Sequence, residues 1–215
     1  MARLEGPRSQ LVLATTNRGK LVELRRLLAA ALGRGIASRL DVVGLDAIGC
    51  APGEEDGATY EENVRRKLAA VPPAAARAVL ADDSGIEVDA LDGAPGLHSA
   101  RFARGPAGKT LDGPGLNAVL LERLAGVPAP RRGARMVSVV ALRLPDGRLV
   151  VGQGEVRGFI AVDQRGTGGF GYDRVFLLAD GRRLSEQPAV VKDALGHRGH
   201  AVRAVAPAIA AWLGG

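Results

Sequence analysis

Cysteine is almost missing from this chain: Cys50 is the single one among 215 residues, so no intramolecular disulfide can form. Histidine is scarce as well, with only His98, His197 and His200 and no HExxH pattern, which leaves a zinc site without a recognisable ligand set. Aromatic residues make up 3% of the sequence, too few for an evident base-stacking platform. The longest apolar tract, residues 204–213, falls short of the ~20 residues that cross a bilayer and contains Pro207. The opening MARLEGPRSQ has no apolar stretch of signal-peptide length, so a cytoplasmic location is expected. No GxSxG elbow is present, and a serine-triad hydrolase therefore has no support.

What is present suits one large α/β domain, or two lobes around a cleft, with enough residues to bury a substantial core. The net charge of +6 invites a polyanion as partner. The basic residues are nevertheless scattered among Glu and Asp and form no single run, which weakens a nucleic-acid reading. A solvated basic surface and attraction of a small polyanion both remain open.

Residues 10–14 form a short apolar run without helical period, followed by TTNRGK and then leucines at 21, 24, 27 and 28: strand, loop, helix. A second strand is expected over residues 40–43. Thr59 with Glu62 makes a capping box that opens a helix running to about residue 70, before Pro72 and Pro73. Residues 78–81 read as a buried strand ending at Asp82, Asp83 and Ser84, with IEVDAL as a separate, half-exposed strand. A helix is expected over 116–124. Residues 135–144 and 148–159 form a hairpin across PDG, GTGGFGYD is a loop, and a strand follows at 175–178. Two C-terminal helices, 189–194 and 199–213, are separated by Gly196. Residues 1–9 are expected to be a flexible terminus, and 10–215 a single domain.

Four motifs carry candidate chemistry. In Thr15, Thr16, Asn17, Arg18, Gly19 and Lys20, backbone N–H groups at a helix start, with a lysine at the mouth, form a seat for phosphate. It is not a standard P-loop: Ala14 stands where the first glycine belongs, and Leu21 follows the lysine. A plain N-cap beside an exposed lysine is the alternative. Asp82 and Asp83, just past an apolar strand, offer hard oxygens suited to Mg²⁺ and hence to phosphate substrates, or else form an Asx turn. The acidic loop Glu54, Glu55, Asp56 can supply a further ligand, or is a solvated charge run, the commoner case for such a run alone.

The glycines at 166, 168 and 171 satisfy GxGxxG, but the segment runs into a strand where a dinucleotide fingerprint opens a helix. Such a loop can instead approach a flat base, with Phe170 or Tyr172 stacking beside Asp173, or it is simply a hairpin loop holding a core aromatic. Lys192, His197 and Arg198 form a cation cluster that can bind phosphate or donate to a base carbonyl, or else a polar turn between helices.

Taken together and in order, TTNRGK, EED before the capped YEEN helix, ADDSG, APGLHSARFA, GTGGFGYDRVF and KDALGHRGHA resemble the inosine and xanthosine triphosphate pyrophosphatase family, from about residue 10 to the C-terminus. The resemblance implies an ITPase-like, anticodon-binding-like α/β fold: two lobes around a long mixed central sheet, the active-site cleft between them, usually as a homodimer. It implies hydrolysis of a deaminated purine nucleoside triphosphate (dITP, ITP, XTP) to the monophosphate and pyrophosphate, with Mg²⁺. Residues 15–20 would hold the triphosphate, Asp83 would be general base and metal ligand, and Ser84 would touch substrate. Glu54 best matches the second metal ligand, with Glu55 its neighbouring rival. Phe170, Gly171, Tyr172 and Asp173 would line the nucleoside pocket with Lys192, His197 and Arg198. Asn63, Lys67, Asp82 and Arg101 take supporting roles. The chain departs from the family pattern at Gly196, where Ser is usual, at the apolar residues 188–191, and at Thr16, where Gly is common. A pyrophosphatase for modified pyrimidines and a basic nucleic-acid-binding protein are the competing readings.

Overall fold

Alternation along three strands sorts their buried apolar residues into two clusters, one on each face. In β1 (Ser9–Leu13), β3 (Arg77–Val88) and β4 (Gly133–Arg143), Leu11, Leu13, Ala78, Leu80, Val140 and Leu142 pack on one side. Val12, Val79, Ala81, Val139 and Ala141 pack on the other. This is the two-residue period of a sheet covered on both faces. The computed structural model describes residues 8–103 and 111–214. The terminus expected to be flexible over 1–9 lies, apart from Arg8 and Ser9, outside the described residues.

The elements form a six-stranded sheet in the order β2-β1-β3-β4-β5-β6, with β2 at Leu40–Gly44, β5 at Leu149–Ile160 and β6 at Phe176–Leu178. β1 runs parallel to both β2 and β3, whereas β5 and β6 are antiparallel, so the sheet is mixed and the fold is α/β. The chain divides into two compact units: residues 1–83, 139–153 and 200–215, and residues 84–138 and 154–199.

In the first unit, α1 (Arg18–Ala37) crosses from β1 to β2 and presents Leu24, Leu27 and Leu28 to the core. Burying each of these side chains contributes about 1.5–3 kcal/mol. The C-terminal helix α5 (His197–Gly214) adds Val202, Val205 and Ile209 to the same cluster. On the opposite face, α2 (Tyr60–Ala69) contributes Val64 and Leu68. Thr59 caps α2 by accepting from the Glu62 N–H, while the Glu62 carboxylate reaches back to the Ala58 N–H. Both halves of the expected capping box are thus present, shifted by one residue on the return bond.

The second unit closes over Ile86, Val88, Leu116, Leu120, Met136 and Phe176. Its helix α3 (Gly113–Arg123) ends on buried Arg132, which donates to the carbonyls of Leu124, Val127 and Ala161. The short helix α4 (Ala189–Leu195) precedes α5, with Gly196 between them.

One expectation is corrected. Asp82, Asp83 and Ser84 do not terminate a strand: β3 continues through them from Arg77 to Val88. Polar residues stay inside a buried strand when each finds a partner, and each of these three does.

Candidate active site

The strand period places neighbouring carboxylates on opposite faces of β3, and each meets a different lysine. Asp82 continues the row of Ala78 and Leu80, toward α1, and its Oδ2 lies 2.8 Å from Lys20 Nζ. Asp83 continues the row of Val79 and Ala81, toward α2. Its Oδ2 accepts from Asn63 Nδ2 at 2.9 Å and its Oδ1 from Lys67 Nζ at 3.1 Å. Asn63 and Lys67 are four residues apart on one face of α2, so the capped helix delivers both groups to the same carboxylate.

Lys67 is the hub of this cluster. Its ammonium also pairs with Glu55 Oε1 at 2.6 Å and donates to the Asp82 carbonyl at 2.9 Å. Burial, the largest single influence, pulls its pKa down; Asp83, Glu55 and Asp82 together outweigh burial and hold it above the ordinary lysine value. Glu54 is exposed and Glu55 half-buried, so it is Glu55 that the acidic loop brings into the cluster.

The phosphate-seat loop has the expected strand-loop-helix form. Thr15 Oγ1 accepts from the Asn17 N–H, and Asn17 caps α1 by accepting from the Lys20 N–H at 3.1 Å. Thr16, Asn17 and Arg18 are exposed and Gly19 is half-buried. These residues therefore surround an accessible helix N-terminus whose basic side chain is held by Asp82.

The second unit gathers a separate set of groups. Ser84 Oγ accepts from the Arg198 guanidinium at 2.7 Å. Arg198 and Lys192 both lie over the Phe170 ring, 5.4 and 5.0 Å from its centroid. Lys192 Nζ is 2.6 Å from Asp173 Oδ2, which also accepts from the Phe170 N–H at 2.8 Å. Phe170 is half-buried, so its ring is not fully enclosed by the core. Tyr172 has another task. Its ring belongs to the core and its hydroxyl donates to the Ser99 carbonyl at 2.8 Å, while burial pushes the phenol pKa well up. His197 and Arg198 are buried at the start of α5, and Arg101 is exposed. A Cβ on Gly196 would stand 2.7 Å from the Lys192 carbonyl oxygen, so the turn as folded has no room for a side chain there.

The acidic cluster contains only oxygen donors. Among the described residues no group of three or more His, Cys, Asp or Glu surrounds a metal position. Two carboxylates, Asp83 and Glu55, do converge on one cation, Lys67. That donor set fits Mg²⁺, which binds through one or two carboxylates and takes its other ligands from water and phosphate.

Two residues of these clusters are hard to see in the sequence. Lys67 was legible only as a family-like position, because its role depends on which strand faces α2. Asn117, on α3, donates to the Gly171 carbonyl at 3.2 Å. Its signal was an amide on the same helical stripe as Leu120 and Leu124.

Among the described residues no helix is long and apolar enough to cross a membrane. The model of the Ham1 family matches residues 11–208. The chain is 45% identical over 194 residues to the dITP/XTP pyrophosphatase of Symbiobacterium thermophilum, covering 90% of this chain and 91% of that one. It is 41% identical over 207 residues to the dITP/XTP pyrophosphatase of Exiguobacterium sibiricum, covering 95% and 99%. Among solved structures, the Staphylococcus aureus Ham1 protein aligns with a TM-score of 0.75 and 31% identity, over 93% of this chain and 97% of that one. With the family model spanning nearly the whole chain and such identities over nine-tenths of it, this protein belongs to the Ham1 family.

Proposed function

We propose that this protein hydrolyses deaminated purine nucleoside triphosphates, dITP, ITP and XTP, to the monophosphate and pyrophosphate, keeping them out of DNA and RNA. Family membership and the names of its relatives support the reaction. The observation that carries it on this chain is the run Asp82, Asp83, Ser84, in which each side chain is held by a different cation: Lys20, Lys67 and Arg198. We further propose that residues 10–215 work as one catalytic domain, in a homodimer.

Asp83 takes the proton of the attacking water. Asn63 and Lys67 each occupy one of its oxygens, which fixes the carboxylate's orientation and leaves lone pairs for that proton. Thr16, Arg18 and Gly19 present backbone N–H groups to the triphosphate, those of Thr15 and Asn17 being taken by the Leu13 carbonyl and Thr15 Oγ1, and Lys20 adds charge from its seat on Asp82. Mg²⁺, held by Asp83 and by Glu55 or its neighbour Glu54, would neutralise the leaving pyrophosphate. In the second unit, Phe170 offers a face to the base, and Lys192, His197 and Arg198 supply donors. A guanidinium has only donors, so Arg198 suits the carbonyl at position 6 of hypoxanthine or xanthine and is opposed by the amino group of adenine. A site built on such bonds discriminates by about 10⁴.

Pyrophosphate release from ITP, dITP, XTP, GTP, ATP and dUTP, with and without Mg²⁺, tests this. The first three should be cleaved far faster, only with metal, and not by a folded Asp83→Asn variant. Equal rates across the panel would remove the substrate assignment; preference for dUTP would favour a pyrimidine enzyme. Salt-dependent nucleic-acid binding without pyrophosphate release would replace both.

A further inference from the structure

Residues 170–173 form a tight turn whose middle peptide is gripped from outside. Gly171 has φ +61, Tyr172 is not in the positive-φ region, and the Asp173 N–H reaches the Phe170 carbonyl at 3.4 Å. A positive φ at the first central residue is a conformation that favours glycine there. That closing bond is at the long end of the hydrogen-bond range, so the turn does not hold itself rigidly. Nor does the turn use the carbonyl of its own central peptide. In this protein Asn117 takes it, donating from Nδ2 at 3.2 Å.

Asn117 is an unusual residue for its place. It is wholly buried on α3, on the stripe that carries Leu120 and Leu124 into the core. Its Oδ1 has no hydrogen-bond partner among the described residues. A half-satisfied buried amide is costly, and packing alone would favour leucine here. The same face of α3 is kept bare one turn earlier: a Cβ on Gly113 would stand 3.1 Å from the Gly171 carbonyl oxygen and 3.3 Å from its nitrogen. Gly113 and Asn117 together let α3 approach the turn and then bond to it.

We propose that Asn117 is a positioning residue for base recognition: by holding the Gly171 carbonyl, it aims the N–H of Tyr172 from the opposite edge of the same planar peptide, as a donor to the carbonyl-bearing base. In a trans peptide the C=O and N–H point in opposite directions, so fixing one aims the other. Asp173 and the Tyr172 hydroxyl hold the turn at other points, on the Phe170 N–H and the Ser99 carbonyl. Asn117 acts on its middle.

This inference rests on the proposed pyrophosphatase activity, and the test separates the two. Asn117→Leu keeps the branching at Cγ and the number of side-chain heavy atoms while removing both the donor and the orphan acceptor. In the folded variant, KM for ITP should rise by about tenfold with kcat within about threefold of wild type, because binding and not bond cleavage is affected. The ¹H–¹⁵N resonance of Tyr172 should move, with those of Lys20 and Asp83 unchanged. A folded variant with unaltered KM, or an unmoved Tyr172 amide, overturns the proposal. Should Asn117→Leu fail to fold, Gly113→Ala presses a methyl group onto the Gly171 carbonyl from the same helix, and an unchanged KM there overturns it equally. Wild-type protein that releases no pyrophosphate from ITP would refute the activity instead, whereas an unmoved Tyr172 resonance in the variant refutes the role of Asn117 independently of activity.

Discussion

Lys67 balances more charge than any other side chain in the acidic cluster. It touches Asp83, Glu55 and the Asp82 carbonyl while remaining 5% exposed, and these neighbours hold its pKa above 10.5 despite burial. Removing one partner of such a buried network leaves uncompensated charge. Lys67→Met should therefore cost about 3–5 kcal/mol in urea unfolding at neutral pH. The folded-state pKa is raised, so the stabilisation from Lys67 is complete below 10.5 and is lost as pH rises through the folded value. The gap between wild type and variant should accordingly narrow above pH 10.5, and a gap constant across that range would mean that packing, not charge, sets the cost. The pairing itself was only partly legible. DDSG displays its carboxylates in sequence, but which lysine serves which depends on the two faces of β3.

At the scale of elements, α2 shows how a local signal reaches the site. Thr59 and Glu62 announce its start, and the helix so placed carries Asn63 and Lys67 to Asp83. Thr59→Ala should lower stability by about 1 kcal/mol, the usual value of a lost N-cap. Denaturant unfolding measures this loss, and no change in the transition midpoint would show that Glu62 and tertiary contacts already determine the helix start. Leucines at 24, 27 and 28 likewise made α1 readable before its packing was known. β3 was not readable as one strand, because three consecutive polar residues look like a turn when their partners are out of view. Its Ser84 is answered by Arg198, 114 residues further on.

For the whole molecule, the two compact units are not two stretches of sequence: the chain passes between them at residues 83, 138, 153 and 199. Each unit has its own apolar cluster, and neither can be cut out as a contiguous segment. If the proposed homodimer forms, sedimentation equilibrium should return about twice the 22.2 kDa chain mass at micromolar concentration, and a single-chain mass throughout would exclude it.

The sequence by itself determined the class of fold, the existence of most elements, and the chemical groups available. Those depend on periodicity, caps and turn residues, which act over a few positions along the chain. Only the tertiary structure decided how the groups are shared. It set Asp82 on Lys20 and Asp83 on Lys67, chose Glu55 for the acidic cluster, turned Tyr172 inward, laid Arg198 over Phe170, and tied Asn117 to Gly171. These are contacts between residues distant in sequence, selected because a buried polar group must find a partner wherever the chain brings one within reach.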